Sequence, residues 1–229
     1  MKMMRIDIIS AVPDLLNSPL QTSIIKRSRD FQKVEINVHN LRDYTHDKHK
    51  VIDDKPFGGG AGMLLKPEPF FECIESLKSR REYQHIIYSC PKGKIFNQRM
   101  ANRFSIAENI IIIAGHYKGI DDRVREAFAT DEVSIGNFVL SGGELPALII
   151  VDAIVRLIPG VLGDAESALS DSFQDGDVVE PPYYTRPANY KGMKAPEVLL
   201  SGNFKKIEDW KKDQSRVLTE KWKKINSLE

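Results

Sequence analysis

Four groups of residues have types and spacing that chemistry could use. Gly115-His116-Tyr117-Lys118-Gly119-Ile120-Asp121 directly follows a β-branched run that ends at Ala114. A strand opening into a glycine turn and a capped helix is where α/β folds bind ligands, although a plain tight turn looks the same. Ser134-Ile135-Gly136-Asn137-Phe138-Val139-Leu140-Ser141-Gly142-Gly143-Glu144-Leu145-Pro146 joins a short strand to an apolar helix through two more glycine turns. Backbone amides and carbonyls exposed there could hydrogen-bond an adenine edge while apolar side chains sandwich the ring. Gly58-Gly59-Gly60-Ala61-Gly62 lacks the ending of a phosphate-binding loop, and Met63 stands at the third glycine of a dinucleotide fingerprint. Taken alone it reads as a flexible loop. His46 and His49 resemble a metal pair, but no further ligand spacing supports a metal site, and both read as loop residues.

For the other candidates the residues alone favour the bland reading. Arg156 follows Asp152 by four residues, the arrangement of an ion pair within one helix. Asp171 is one of six acids (with Asp164, Glu166, Asp175, Asp177 and Glu180) in a stretch without any Lys or Arg between Arg156 and Arg186. Trp210 and Trp222 could stack on bases, yet their helical spacing with Ile207 and Val217 favours core packing.

The elements that must position these residues alternate over the first 160 positions. Arg5 to Val12 reads as a buried strand, Val34 to Val38 as a second, and Pro67 to Arg81 as a helix. His85 to Ser89 is a strand, Gln98 to Ala107 a helix and Asn109 to Ala114 a strand. Asp121 to Ala129 is a capped helix, and Glu132 to Ile135 a short strand. Glu144 to Ile158 is apolar almost all round, which predicts a buried helix. Such alternation specifies an α/β fold, a mostly parallel sheet covered by helices. Small and turn residues then suggest a long mobile connection. Residues 203–229 form a helix with eight Lys or Arg against five Asp or Glu. Three parts are expected: residues 1–160, a flexible linker at 161–180, and a small helical part at 181–229.

Bulk properties exclude several classes. The net charge of +1 gives no global attraction to nucleic acid, so RNA binding requires local basic patches. Two cysteines, Cys73 and Cys90, in unrelated contexts argue against a disulfide framework or zinc site and fit a reducing compartment. No signal peptide is expected, and Leu145 to Ile158 is too short and too interrupted to span a bilayer. A cytoplasmic protein with no membrane contact is expected.

Five strings, taken in order, carry a resemblance. They are RDYTHDKHKVIDDKPFGGGAGM from Arg42, GHYKGIDDRV from Gly115, SIGNFVLSGGELPA from Ser134, IPGVLGDAESALSDSF from Ile158 and PPYYTRPANYKGMKAPEVLLSGN from Pro181. Over roughly residues 4 to 212 the chain resembles the bacterial tRNA (guanine-N1)-methyltransferases, the TrmD family of the knotted SPOUT superfamily. The resemblance implies a parallel sheet with a deep trefoil knot, here about Tyr88 to Ile158, folded around S-adenosylmethionine as methyl donor. It implies cofactor contacts from Tyr88, Ser89, Cys90 and Pro91, and from Gly115, Tyr117 and Gly119. Further contacts would come from Ser134, Ile135, Gly136, Asn137, Phe138, Val139 and Leu140, with Gly142, Gly143 and Pro146. It implies a homodimer and, as substrate, the guanosine at tRNA position 37 in the anticodon arm. It also makes Asp171 the general base and has Arg156 donate to guanine O6, where charge develops as the ring loses its proton. The sequence shows no ligand set for a divalent ion, which the reaction could still use.

The chain departs from the family pattern in places. GHYKGID stands for the common GRYEGID, so His116 and Lys118 replace Arg and Glu, and Lys118 reverses a charge near the pocket. Asn137-Phe138 replaces an Asp-Tyr pair, Cys90 a serine, and the chain ends soon after Trp222. The alternatives are a non-catalytic RNA-binding relative, an α/β nucleotide enzyme unrelated to RNA, and a SPOUT enzyme acting on the ribose 2′-hydroxyl. The first is opposed by the retained Asp171 and Arg156, and the second by the missing phosphate-binding fingerprints. Analysis of the modified nucleoside separates the third.

Overall fold

Four consecutive isoleucines, Ile110 to Ile113, are fully buried and mark the middle of the molecule. A strand covered on both faces has no reason to alternate, and this one does not. The computed structural model describes residues 3–163 and 171–226. By its contacts the chain divides into two units, Met1–Asp164 and Ala165–Glu229.

The first unit runs β1 (Met4–Ser10), α1 (Asp14–Leu20), α2 (Ser23–Asp30), β2 (Val34–Asn40) and a 3-10 turn at Leu41–Tyr44. A two-residue pair follows, β3 (Asp53–Asp54) with β4 (Leu64–Leu65), and then α3 (Pro67–Lys78) and β5 (His85–Ile95). It ends with α4 (Gln98–Ser105), β6 (Asn109–Ala114), α5 (Asp122–Phe128), β7 (Asp131–Ser134) and α6 (Glu144–Val155). The main sheet has the order β2-β1-β6-β5-β7, and every neighbouring pair is parallel. The α/β reading of the sequence therefore holds.

Alternation along the strands sorts side chains between the two covering layers. Ile6, Ile8, Ile110 and Ile112 pack with Leu16, Leu20, Leu148 and Val151 on the face of α1, α2 and α6. Ile9, Ile111 and Ile113 pack with Phe70, Cys73 and Ile74 of α3 on the other. Asp7 sits fully buried on β1, with Arg5, His39 and Tyr83 each placing a polar atom 2.7 Å from its carboxylate. Burial alone would push that carboxyl up, but the hydrogen bonds from His39, Arg5 and Tyr83 outweigh it and hold it below the usual range.

Two differences from the sequence expectation are instructive. The helices α1 and α2 fill a region where no element was expected, because each is short and α1 contains Pro19. The helix α6 was expected to be buried all round, yet Leu145 and Ile149 are 52% and 48% exposed and Asp152 also faces solvent. All-round apolarity reports how much surface needs covering and leaves open which chain covers it.

In the second unit, the last helix runs from Phe204 to Asn226 and has no buried residue. Core packing of Trp210 and Trp222 is thus corrected: both are only half-buried, under the segment that precedes the helix. Trp222 lies against Phe173 with ring centroids 5.1 Å apart, and Trp210 against Tyr184 at 6.4 Å. The Val179 N–H donates to Thr219 Oγ1 at 2.9 Å, and Ser215 Oγ donates to the Val179 carbonyl. The described residues 171–180 are thereby tied to the helix, while most of the expected linker's first half, 164–170, lies outside the described residues. A hairpin pairs Asn189–Tyr190 with Met193–Lys194.

Candidate functional site

Three strand ends build one cavity. The first belongs to β5, whose residues Ser89 and Lys94 both pair with Val133. The four residues between them, Cys90 to Gly93, leave the ladder as a bulge within β5. Gly93 passes so close to β7 that a Cβ there would stand 2.3 Å from the Val133 nitrogen. Only a residue without a side chain fits that crossing.

The second strand end is Gly115 to Ile120, after β6. The Gly119 N–H closes the turn on the His116 carbonyl at 2.9 Å, and Tyr117 takes a left-handed conformation with φ of 57°. The Tyr88 side chain lies beside it: a Cβ on Gly115 or on Gly119 would stand 3.5 Å from it. Burial raises the Tyr88 phenol to about 12, so it remains neutral at ordinary pH. Burial also raises the Cys90 thiol, whose Sγ lies 3.8 Å from Glu132 Oε2, which leaves a poor nucleophile.

The third follows β7. Ser134 Oγ both accepts from the Gly136 N–H and donates to the Gly136 carbonyl, pinning the turn. The chain then comes back against the end of β6. Gly143 donates to the Gly115 carbonyl at 2.6 Å, and a Cβ on Gly143 would stand 2.8 Å from Ala114 Cα. His116 and Gly142 form an isolated antiparallel bridge between the two turns. Directly after it, Glu144 opens α6 with a carboxylate only 1% exposed. Ser10 Oγ donates to its Oε1 at 2.8 Å, and His116 Nδ1 lies 3.5 Å from its Oε2.

Of the sequence-predicted cofactor residues, Tyr88, Ser89, Cys90, Pro91, Gly115, Tyr117 and Gly119 line this cavity. So do Ser134, Ile135, Gly136, Phe138, Val139, Leu140, Gly142, Gly143 and Pro146. Asn137 does not appear in the lining, whereas His116, Lys118 and Ser141, which were not assigned, do. A turn that wraps a cavity presents neighbouring positions together, and that continuity is the signal which could have included all three. Apolar side chains of Ile135, Leu140 and Pro146 beside three glycine-rich backbones fit a planar heteroaromatic ligand that needs amide and carbonyl partners.

The two residues expected to act on the substrate lie on different units. Arg156 caps α6, its N–H bonded to the Asp152 carbonyl at 3.2 Å, and is half-buried. Asp171 begins the described part of the second unit, where its carbonyl accepts from the Gln174 N–H at 3.4 Å. His46 lies exposed on its loop and bonds Glu72 at 2.7 Å. Among the described residues no group of three His, Cys, Asp or Glu side chains could hold a metal ion, and no helix is long and apolar enough to cross a membrane.

Known proteins match along nearly the whole chain. The family described as tRNA (Guanine-1)-methyltransferase TrmD matches residues 4–226. A relative from Christiangramia forsetii is 56% identical over 95% of this chain and 96% of its own length. One from Flavobacterium johnsoniae is 59% identical over 92% of each, and one from Bacteroides thetaiotaomicron 53% identical over 95% and 96%. All three bear the name tRNA (guanine-N(1)-)-methyltransferase. The match spans the three strand-end loops as well as the last helix, and on that ground the chain belongs to the tRNA (guanine-1)-methyltransferase TrmD family.

Proposed function

We propose that this protein is an enzyme that methylates N1 of a guanosine in tRNA, at position 37 beside the anticodon, with S-adenosylmethionine as donor. The observation that carries the reading is the cavity at the ends of β5, β6 and β7, inside a family match that covers both units. When bound, the cofactor supplies an electrophilic methyl group. The remaining work falls to the chain's own residues.

Guanine N1 holds a proton at neutral pH and cannot attack until that proton leaves. In this reading Asp171 takes the N1 proton, and the Arg156 guanidinium donates to O6, where the negative charge then gathers. The cavity's turns hold the donor in line, which supplies orientation rather than chemistry. The glycine-pinned crossings at Gly93 and Gly143 support a knotted path between about Tyr88 and Ile158.

The exposed stripe of Leu145 and Ile149 supports a homodimer, in which the acid of one subunit serves the cavity of the other. RNA would meet basic residues of the second unit, Lys205, Lys206 and Lys211 on the last helix with Arg186, Lys191 and Lys194 before it. Lys212 was a further candidate, but it pairs with Glu208 at 2.7 Å, so it is the weakest of the set. A cytoplasmic location follows from the substrate.

The test is single-turnover methylation of an unmodified tRNA transcript carrying guanosine at position 37, with the product mapped. Asp171→Asn should leave cofactor and tRNA affinity near normal and slow methyl transfer by roughly 10²–10⁴-fold, the usual worth of a positioned base. A rate within about threefold of wild type would remove Asp171 from the role. Methyl found on the ribose would overturn the reaction assignment itself.

A further inference from the structure

The cavity's lining holds one fixed charge among the described residues, and that charge is positive. Lys118 lines it, and no Asp or Glu does. The neutral Tyr88 phenol and Cys90 thiol leave the rest of the wall to backbone dipoles, hydroxyls and apolar groups. Lys118 forms no ion pair with any described residue. Its backbone is nevertheless fixed, because the Lys118 N–H donates to the Met63 carbonyl at 3.1 Å. Its stem runs alongside the Gly-rich segment: Cγ and Cε lie 2.9 and 3.3 Å from where a side chain on Gly62 would begin. The Gly-rich segment thus flanks, at the cavity's edge, an ammonium that no described residue pairs.

An unpaired cation in such a wall repels ligand cations and attracts a ligand anion. At neutral pH, S-adenosylmethionine carries a sulfonium, an ammonium and one carboxylate. Neither cation gains anything beside Lys118, whereas the carboxylate does. We propose that Lys118 binds the carboxylate of the cofactor's amino-acid end, fixing which end of the ligand lies against the Gly62 edge and selecting for ligands that carry that group. The inference rests on the reading of the cavity as the cofactor site. A backbone phosphate of RNA is the rival anion; Lys118 is exposed, but its place in the cavity's lining favours the small ligand.

Calorimetry on the full chain decides it, using three probes: S-adenosylmethionine, its decarboxylated form, and 5′-methylthioadenosine, which lacks the amino-acid end. Lys118→Met keeps the stem and removes the charge. It should weaken S-adenosylmethionine by about three- to tenfold, the worth of a partly exposed charge-assisted contact, and leave the other two probes within about twofold. Lys118→Glu should go further and reverse the preference, so that the decarboxylated form binds more tightly. Equal losses for all three probes would mean that Lys118 only shapes the turn, and would overturn the assignment. With a tRNA transcript titrated as a further arm, unchanged S-adenosylmethionine binding and weakened tRNA binding would overturn it in favour of the phosphate. Wild-type protein that binds none of the probes would overturn the cofactor-site reading along with it.

Discussion

The cavity and the last helix make their contacts by opposite means. Around the cavity, backbone presses on backbone: Gly93 against Val133, and Gly143 against Ala114 and Gly115. Along the last helix no residue is buried, and single side chains such as Phe173 on Trp222 hold the preceding segment in place. Backbone contacts leave no freedom for adjustment, because no rotamer can change to relieve a clash. Side-chain contacts on an open helix can shift at small cost. A preformed pocket for a small ligand needs the first kind of construction, and a surface that meets a large polyanion tolerates the second.

Adding one methyl group should break the first region most severely. Gly143 has φ of −85°, which any residue can adopt, so Gly143→Ala introduces only the collision with Ala114 and Gly115. Overpacking of this kind costs about 1–3 kcal/mol, and the turn it displaces should lower cofactor affinity by roughly tenfold or more. Urea unfolding together with cofactor titration measures both. Normal values for both would show that the crossing can yield, and the contrast between the two regions would fail.

Removing a whole ring from the second region should do less. Trp222→Ala is expected to cost the second unit about 1 kcal/mol, typical of an aromatic pair, and to weaken tRNA binding while cofactor affinity stays put. A parallel fall in cofactor affinity would mean that the two regions are not separable in this way. The smallest effect belongs to the charges. Replacing Lys205, Lys206 and Lys211 by Ala should flatten the salt dependence of tRNA binding by about one unit of slope for each phosphate no longer neutralised. A slope identical to wild type would place the RNA surface elsewhere.

How much of this was legible in the sequence follows the same division. The β6 run and the capped helix after Asp121 were plain, because burial on two faces and an N-cap both leave local marks; Asp121 does accept the Arg123 N–H. The strand β5 was expected to span only His85 to Ser89, yet pairing resumes at Lys94, beyond Pro91 and Gly93, residue types that disfavour strands. That resumption depends on β7, some forty positions along the chain, and no local pattern can report it. The cavity loops were recognisable by motif, but the place of Lys118 and His116 in the lining appears only once the turn is folded. The exposed stripe on α6 was hidden for a different reason, since hydrophobicity does not say which chain covers it.

The strand order also sets a schedule for the growing chain. β1 is made first, but its neighbour β6 begins only at Asn109, and the Gly143 to Gly115 bond that closes the cavity comes later still. At about 5–20 residues per second, a nascent chain spends several seconds with β1 and β2 formed and their other partners still unmade. During that interval the free edge of β1 is open to pairing with any strand nearby. Donor cannot be captured until α6 has left the ribosome, so cofactor cannot help the earlier steps and can stabilise only the finished unit.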